Sequence, residues 1–244
     1  MLKAWEELPE FMQNEEVKAY YDILAKRKGH LLFKRMFDLL VASILLIICA
    51  PIMLILAIGI KIDSRGPVFF RQVRITQYGK EFRIFKFRTM VVDAEKIGTQ
   101  VTVGNDPRIT KVGHLIRKTR LDEIPQLLNI LKGEMSFVGT RPEVPKYVKQ
   151  YRPEMMATLL MPAGITSKAS IEFKDEEKIL HGVDDVDKVY VEEILPIKMI
   201  YNIAYIKKFT AWSDSRLMID TALAVAGRGN SQKIHVENEQ QFNG

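Results

Sequence analysis

Cysteine is almost absent from this chain: Cys49 is the only one in 244 residues, and it lies inside an apolar run. A disulfide framework is therefore excluded, and a reducing compartment is the simpler setting. Histidine is scarce too. His30, His114, His181 and His235 are scattered without metal-ligand spacing, so a zinc site is not expected. There is no internal repeat and no low-complexity tract, which leaves ordinary globular elements to form a core. Acidic residues are outnumbered, 30 against 36 Lys and Arg, for a formal net charge of +6. That balance favours an anionic partner: nucleic acid, phospholipid headgroups or a phosphorylated substrate.

Charge is also missing locally. Leu39–Ile60, LLVASILLIICAPIMLILAIGI, is 22 residues without one, about 33 Å as an unbroken helix and just enough to span a bilayer core. It starts too far into the chain for a signal peptide, and no small-residue cleavage pattern follows it. An ordinary single-pass anchor is the usual meaning of such a run. Two details favour another geometry. Pro51, near the middle, removes a backbone donor and clashes with the preceding turn. The flanks are basic on both sides, with Lys26, Arg27, Lys28, Lys34 and Arg35 before and Lys61 and Arg65 after, which assigns both ends to the cytoplasmic side. A re-entrant hairpin dipping into one leaflet satisfies both facts, and a Pro-kinked spanning helix remains open beside it.

Before this segment, Val17, Tyr20, Tyr21 and Leu24 fall at helical spacing, as in a membrane-surface helix or an ordinary packing helix. After it, VFFRQVRI (68–75) and EFRIFKFRTM (81–90) are separated by Tyr78-Gly79-Lys80 and read as a hairpin. Its Arg and Lys residues form either a phosphate-facing strip or the solvated side of an edge strand. Residues 94–113 read as a long loop, of the kind that is often functional. Toward the C-terminus, Ile197, Ile200, Tyr201 and Ala204 line one helix face opposite Lys198, Asn202 and Lys207, and Asp214 is placed to open a further helix. Both are expected as interfacial helices, apolar on one side and basic on the other. The segment from Gly227 onward is polar and expected to be disordered.

The chemistry concentrates in Arg117–Pro142, RKTRLDEIPQLLNILKGEMSFVGTRP. An adjacent carboxylate pair, Asp122 and Glu123, stands among Arg117, Lys118, Arg120, Lys132 and Arg141. Cations so placed are expected to keep both acids ionised, and they suit phosphate oxygens. A plainer alternative is that Asp122 only caps a helix running through Leu127, Leu128 and Leu131 to Gly133. Even then the pair would lie at the positive end of a helix dipole, where an anionic phosphate is also held.

Read in order, KRMFDLL, the Pro51 segment, SRGPVFFRQVRI, the KFRTM run, DPRITKVGHLIRKTRLDE, the GTRPE turn and PAGIT resemble the bacterial sugar transferases, polyprenyl-phosphate phosphoglycosyl transferases with a single re-entrant membrane segment. The resemblance runs from about Lys34 to Ile171. It implies transfer of a phosphosugar from a UDP-sugar to polyprenyl phosphate, with Asp122 as nucleophile, an aspartyl-phosphosugar intermediate, UMP as leaving group, Mg²⁺ held by Asp122 and Glu123, and Arg141 binding phosphate. Pro51 matches the residue that breaks the membrane helix. Lys86, Arg88, Arg117, Arg120 and Gln126 are the further candidate substrate-binding residues. The chain departs from the family pattern at Ala50, Thr140 and Ala163, none of which touches the acid pair.

The expected fold is α+β and mostly helical. An N-terminal amphipathic helix (1–33) precedes a re-entrant helix-break-helix (34–62), a cytoplasmic catalytic domain with a short β element (63–195), interfacial helices (196–227) and a flexible tail (228–244). The expected location is the cytoplasmic face of the bacterial inner membrane. UDP-sugar, polyprenyl phosphate and membrane lipids are the partners, a homo-oligomer is open, and nucleic acid is not expected, for want of a binding motif. A catalytically silent scaffold on the same fold is the competing reading, and it has no need of Asp122, Glu123 and Arg141. Which sugar is carried is left open; donor choice is expected to depend on the 94–113 loop and the 164–185 region.

Overall fold

The computed structural model describes residues 2–94, 106–173, 179–180 and 185–225. The first long helices differ in what they bury. In α1 (Glu15–Ala25) the Asn14 side chain caps the start by accepting from the Val17 N–H. Val17, Tyr21 and Leu24 are buried in one cluster with Leu159, Leu160 and Phe209. The amphipathic helix expected over 1–33 is thus shorter and is a packing helix, because its apolar stripe has found a protein partner.

Helix α2 runs from Lys28 to Asp63 with Pro51 inside it. The expected helix-break-helix is, in the backbone, one helical element: proline deletes one donor and the flanking turns carry on. Its middle has almost no protein neighbours, with Ile47 76% and Ile55 68% exposed. Among the described residues it is the one helix long and apolar enough to cross a membrane. Both of its ends are tied to the same body. Near the start, the Arg35 guanidinium donates to the Ile130 and Leu131 carbonyls at 2.7 and 3.2 Å, and Asp38 accepts from the Phe137 N–H at 3.3 Å. At the end, Asp63 accepts from the Val112 N–H at 2.9 Å, while Ile60 packs with Phe87 and Ile116.

The expected hairpin is present as two short antiparallel pairings. Strand β1 (Phe69–Phe70) pairs with β4 (Lys86–Phe87), and β2 (Val73–Ile75) pairs with β3 (Glu81–Arg83). Tyr78 and Gly79, both at positive φ (61° and 71°), make the turn. The strand alternation slips between β3 and β4. Phe82, Ile84 and Phe87 are buried, so the burial alternation changes phase at Phe85-Lys86 although the two pairings keep one continuous register.

Helix α3 (Lys111–Lys118) begins at the Thr110 cap, and the six-residue α4 spans Leu127–Lys132. Strand β5 (Met135–Val138) lies parallel to β6 (Ala163–Thr166) in the core. Just past β5, Gly139 crosses Gly164 so closely that a Cβ on Gly164 would stand 2.2 Å from the Gly139 nitrogen; only glycine allows that approach.

Further on, α5 is Pro145–Val148, α6 is Lys168–Glu172 and α7 is Val186–Val189. A π turn, Tyr190–Ile194, joins α7 to α8 (Leu195–Lys208), and α9 is Ala211–Val225. Helix α8 partly reverses its expected faces: Lys198 and Asn202 are buried, while Ile197 and Tyr201 still pack against the core. Leu195, Lys198, Met199, Asn202, Ile203 and Ile206 are buried while Ile200 is exposed. The reversal has a cause, since Lys198 has buried acceptors of its own. Asp214 does not open α9 as a cap; it is buried and paired with Lys34. The outer side of α9 does expose Trp212 and Ile219. The expected tail, most of the 94–113 loop and part of the 164–185 region lie outside the described residues.

Candidate active site

The acid pair sits in a 3₁₀ segment, Leu121–Gln126, between α3 and α4. Arg120 takes the left-handed conformation (φ 58°) and ends α3, which turns the chain sharply into Leu121. Helix α4 starts only at Leu127 and has no side-chain cap. Asp122 is therefore not its N-cap. Pro125, without an N–H, keeps the helix from reaching back to the acids.

Glu123 is the neutralised member of the pair. Its Oε1 accepts from Lys86 Nζ at 2.9 Å and from Arg141 Nη2 at 2.7 Å. Burial alone would raise its pKa, but Arg141 and Lys86 outweigh that and hold the carboxyl well below the usual range. Asp122 has only Lys86 as an ion-pair partner among the described residues, at 3.8 Å. Burial, helped by the Glu123 charge, pushes its pKa up against the pull of Lys86, Arg117 and Arg141. The surrounding cations thus act unequally on the two acids, since desolvation outweighs them at Asp122.

Lys86, Arg141 and the acid pair thus converge from β4, from the turn after β5 and from the 3₁₀ segment. Asn129 enforces the convergence, a role that spacing did not suggest. Fully buried, it accepts from the Phe85 N–H at 2.8 Å and donates to the Arg83 carbonyl at 3.1 Å. It ties the stretch between β3 and β4, which leads into Lys86, to α4.

The remaining candidates divide. Arg117 lies near enough to act on Asp122 through its charge, and Arg120 shapes the turn. Gln126 is buried with its amide nitrogen unpaired. Arg88 has a buried guanidinium that donates to the Ser64 and Arg65 carbonyls at 2.8 and 2.6 Å, so it clasps the exit of α2. Pro51 is exposed, within the bare stretch of α2.

No group of three or more acidic, histidine or cysteine side chains that could hold a metal occurs among the described residues. The pair nevertheless suits Mg²⁺, which takes one or two carboxylates and completes its shell with water and substrate phosphate. Both bonds to Glu123 fall on Oε1, which leaves Oε2 and the Asp122 carboxylate as hard oxygen donors.

The site thus joins an acid pair to the cations Lys86 and Arg141, in a chain that also carries a long bare apolar helix. The chain belongs to the bacterial sugar transferase family, which it matches over residues 29–228. It is 38% identical over 192 residues to the UDP-N-acetylgalactosamine-undecaprenyl-phosphate N-acetylgalactosaminephosphotransferase of Aeromonas hydrophila, covering 77% of this chain and 42% of that one. To the UDP-glucose:undecaprenyl-phosphate glucose-1-phosphate transferase of Escherichia coli K12 it is 35% identical over 195 residues, 78% of this chain and 39% of the other. To the undecaprenyl-phosphate galactose phosphotransferase of Salmonella typhimurium it is 33% identical over 220 residues, 84% and 42% of the two. The chain spans about two-fifths of the length of these relatives.

Proposed function

We propose that the chain is a phosphoglycosyl transferase that moves a sugar-1-phosphate from a UDP-sugar to polyprenyl phosphate, the first step of a lipid-linked glycan. The observation that carries this reading is the asymmetry of the acid pair. Glu123 is held ionised by two cations, while Asp122 is desolvated and has no short hydrogen bond among the described residues, which suits a nucleophile. Asp122 attacks the phosphorus that bears the sugar, and the bond to the bridging oxygen breaks with UMP taking the electron pair. An oxygen of polyprenyl phosphate then attacks the same phosphorus and releases Asp122. Arg141 and Lys86 hold the diphosphate and balance its charge, and Arg141 suits it for its planar fork. Mg²⁺, held by Glu123 and Asp122, would supply further neutralisation of the diphosphate.

The same reading gives α2 its place. Arg35 and Asp38 near its start and Asp63 at its end bind one domain, so a helix whose ends lay on opposite sides of a membrane would have to drag that domain through the bilayer. A re-entrant dip into the cytoplasmic leaflet of the inner membrane leaves both anchors in water and the bare stretch in lipid. Cysteine or epitope tags at residues 1 and 244 are expected on the cytoplasmic side together, and opposite-side labelling would restore a spanning helix. For the chemistry, radiolabelled UDP-sugars with polyprenyl phosphate should give UMP and a lipid product with at least one donor. Failure with every common donor would remove the enzyme reading and leave the scaffold.

A further inference from the structure

A second buried polar network lies behind Arg141, and the transfer reaction has no direct use for it. Glu143 follows Arg141-Pro142, and its backbone carbonyl accepts from the Ile75 N–H at 2.9 Å. Its side chain is buried and accepts from the Tyr190 hydroxyl at 2.6 Å. Lys198 Nζ donates to that hydroxyl at 2.8 Å and stands 3.5 Å from Glu143 Oε1. All three side chains are almost fully buried, Lys198 at 5% and Tyr190 at 2% exposure. The Tyr147 ring packs on the Tyr190 ring at 4.7 Å.

An ion pair this deep is a poor way to gain stability, because apolar residues of similar volume do as well or better. What it does fix is a position. Tyr190 and Lys198 come from the π turn and α8. The wide turn brings Tyr190 round to the side of Lys198, and such turns gather at functional sites. Neither side chain touches the acid pair. The segment they grip, however, leads two residues back to Arg141, whose guanidinium closes on Glu123. The same segment is held from its other side, where Arg74 donates to the Pro142 carbonyl at 3.0 Å.

We propose that Lys198, through Tyr190 and Glu143, is a positioning residue that sets the Arg141 turn against Glu123. The inference rests on the transferase reading of the site. Its test is a double-mutant cycle on full-length protein in detergent or nanodiscs, read as kcat/KM for UMP release. Tyr190→Phe removes the bridging hydroxyl. The paired change Glu143→Gln with Lys198→Met removes both buried charges together, so no lone ion is left to unfold the protein. Each should lower kcat/KM about 10- to 100-fold in the wild-type background, as loss of an outer hydrogen-bond shell does. With Arg141→Ala present, the same changes should add no more than about twofold. Equal losses in both backgrounds would overturn the proposal, since a merely structural network acts whether or not Arg141 is there. A wild type that releases no UMP counts against the transferase reading instead. The cycle is then read in urea unfolding, where non-additivity between Arg141 and the Tyr190 or paired change supports the link and additivity removes it.

Discussion

Two lysine–carboxylate clusters in this molecule, one buried and one half-buried, are made of nearly the same parts and are finished differently. Under the start of α2, Lys34 meets Asp214 at 2.5 Å and also donates to the Val138 carbonyl at 2.8 Å, and Tyr205 donates to the other Asp214 oxygen at 2.8 Å. Both Asp214 oxygens are occupied, and the cluster joins α2 to α9 and β5. At the acid pair Lys86 and Arg141 both close on one oxygen of Glu123, and among the described residues Asp122 keeps only a 3.8 Å ion-pair contact. Burial raises the pKa of Asp122 and of Asp214 alike. A raised pKa therefore does not single out the reactive acid. In the proposed mechanism incomplete hydrogen bonding beside a cation cluster does, because it leaves an oxygen able to bond elsewhere.

The comparison is broken most sharply by removing each acid. Asp122→Asn should lower UMP release by about 10⁴-fold or more, as loss of a covalent nucleophile does, with no loss of stability at neutral pH. The sign follows from the raised pKa: ionising Asp122 in the folded protein is unfavourable, so its contribution to stability falls as pH rises from the ordinary aspartate range through the raised value. Urea unfolding at pH 7.5 beside an activity assay reads both quantities. Next in size is Glu123→Gln, expected to cost roughly a hundredfold in kcat. It also removes the neighbouring charge that helps raise the Asp122 pKa, so the acid limb of the pH–rate profile should move to lower pH. An unmoved limb would mean that Asp122 does not set it.

How much of this was legible in the sequence depends on how far apart the partners lie. Asp122-Glu123, Arg141 and the bare helix are local patterns, visible as adjacency, a turn motif and an uncharged run. The helix cap assigned to Asp122 failed because Pro125 and left-handed Arg120 shift the start of α4 to Leu127. The partly reversed faces of α8 could not be read from periodicity, which counts Lys198 and Asn202 as polar and sends them to solvent. The partner of Lys198 is supplied by the fold: Glu143 lies 55 positions before it in the chain. Asn129 was missed for the same reason, since the Arg83 and Phe85 backbone groups it bonds lie more than 40 positions earlier in the chain.

Asp214→Asn should do the opposite of Asp122→Asn. Leaving Lys34 buried without its anion is expected to destabilise the fold by about 3 kcal/mol, with activity per folded molecule within about twofold of wild type because the two sites share no partner. Replacing both residues by apolar ones, Lys34→Met with Asp214→Leu, should return most of that stability. The smallest effect is on pH alone. Glu123, depressed by Lys86 and Arg141, stabilises the fold at neutral pH, and that contribution fades as pH falls below the ordinary glutamate range toward its lowered pKa. Glu123→Gln should flatten the acid side of the stability curve.

The central claim is that Asp122 is the acid left open for bond formation. It is tested most directly by intact-protein and peptide mass spectrometry after incubating the protein with a turned-over UDP-sugar and no polyprenyl phosphate. A phosphosugar adduct on the peptide carrying Asp122, lost on adding polyprenyl phosphate and missing from Asp122→Asn, is the expected result. An adduct on any other residue, or one that persists in Asp122→Asn, would contradict it.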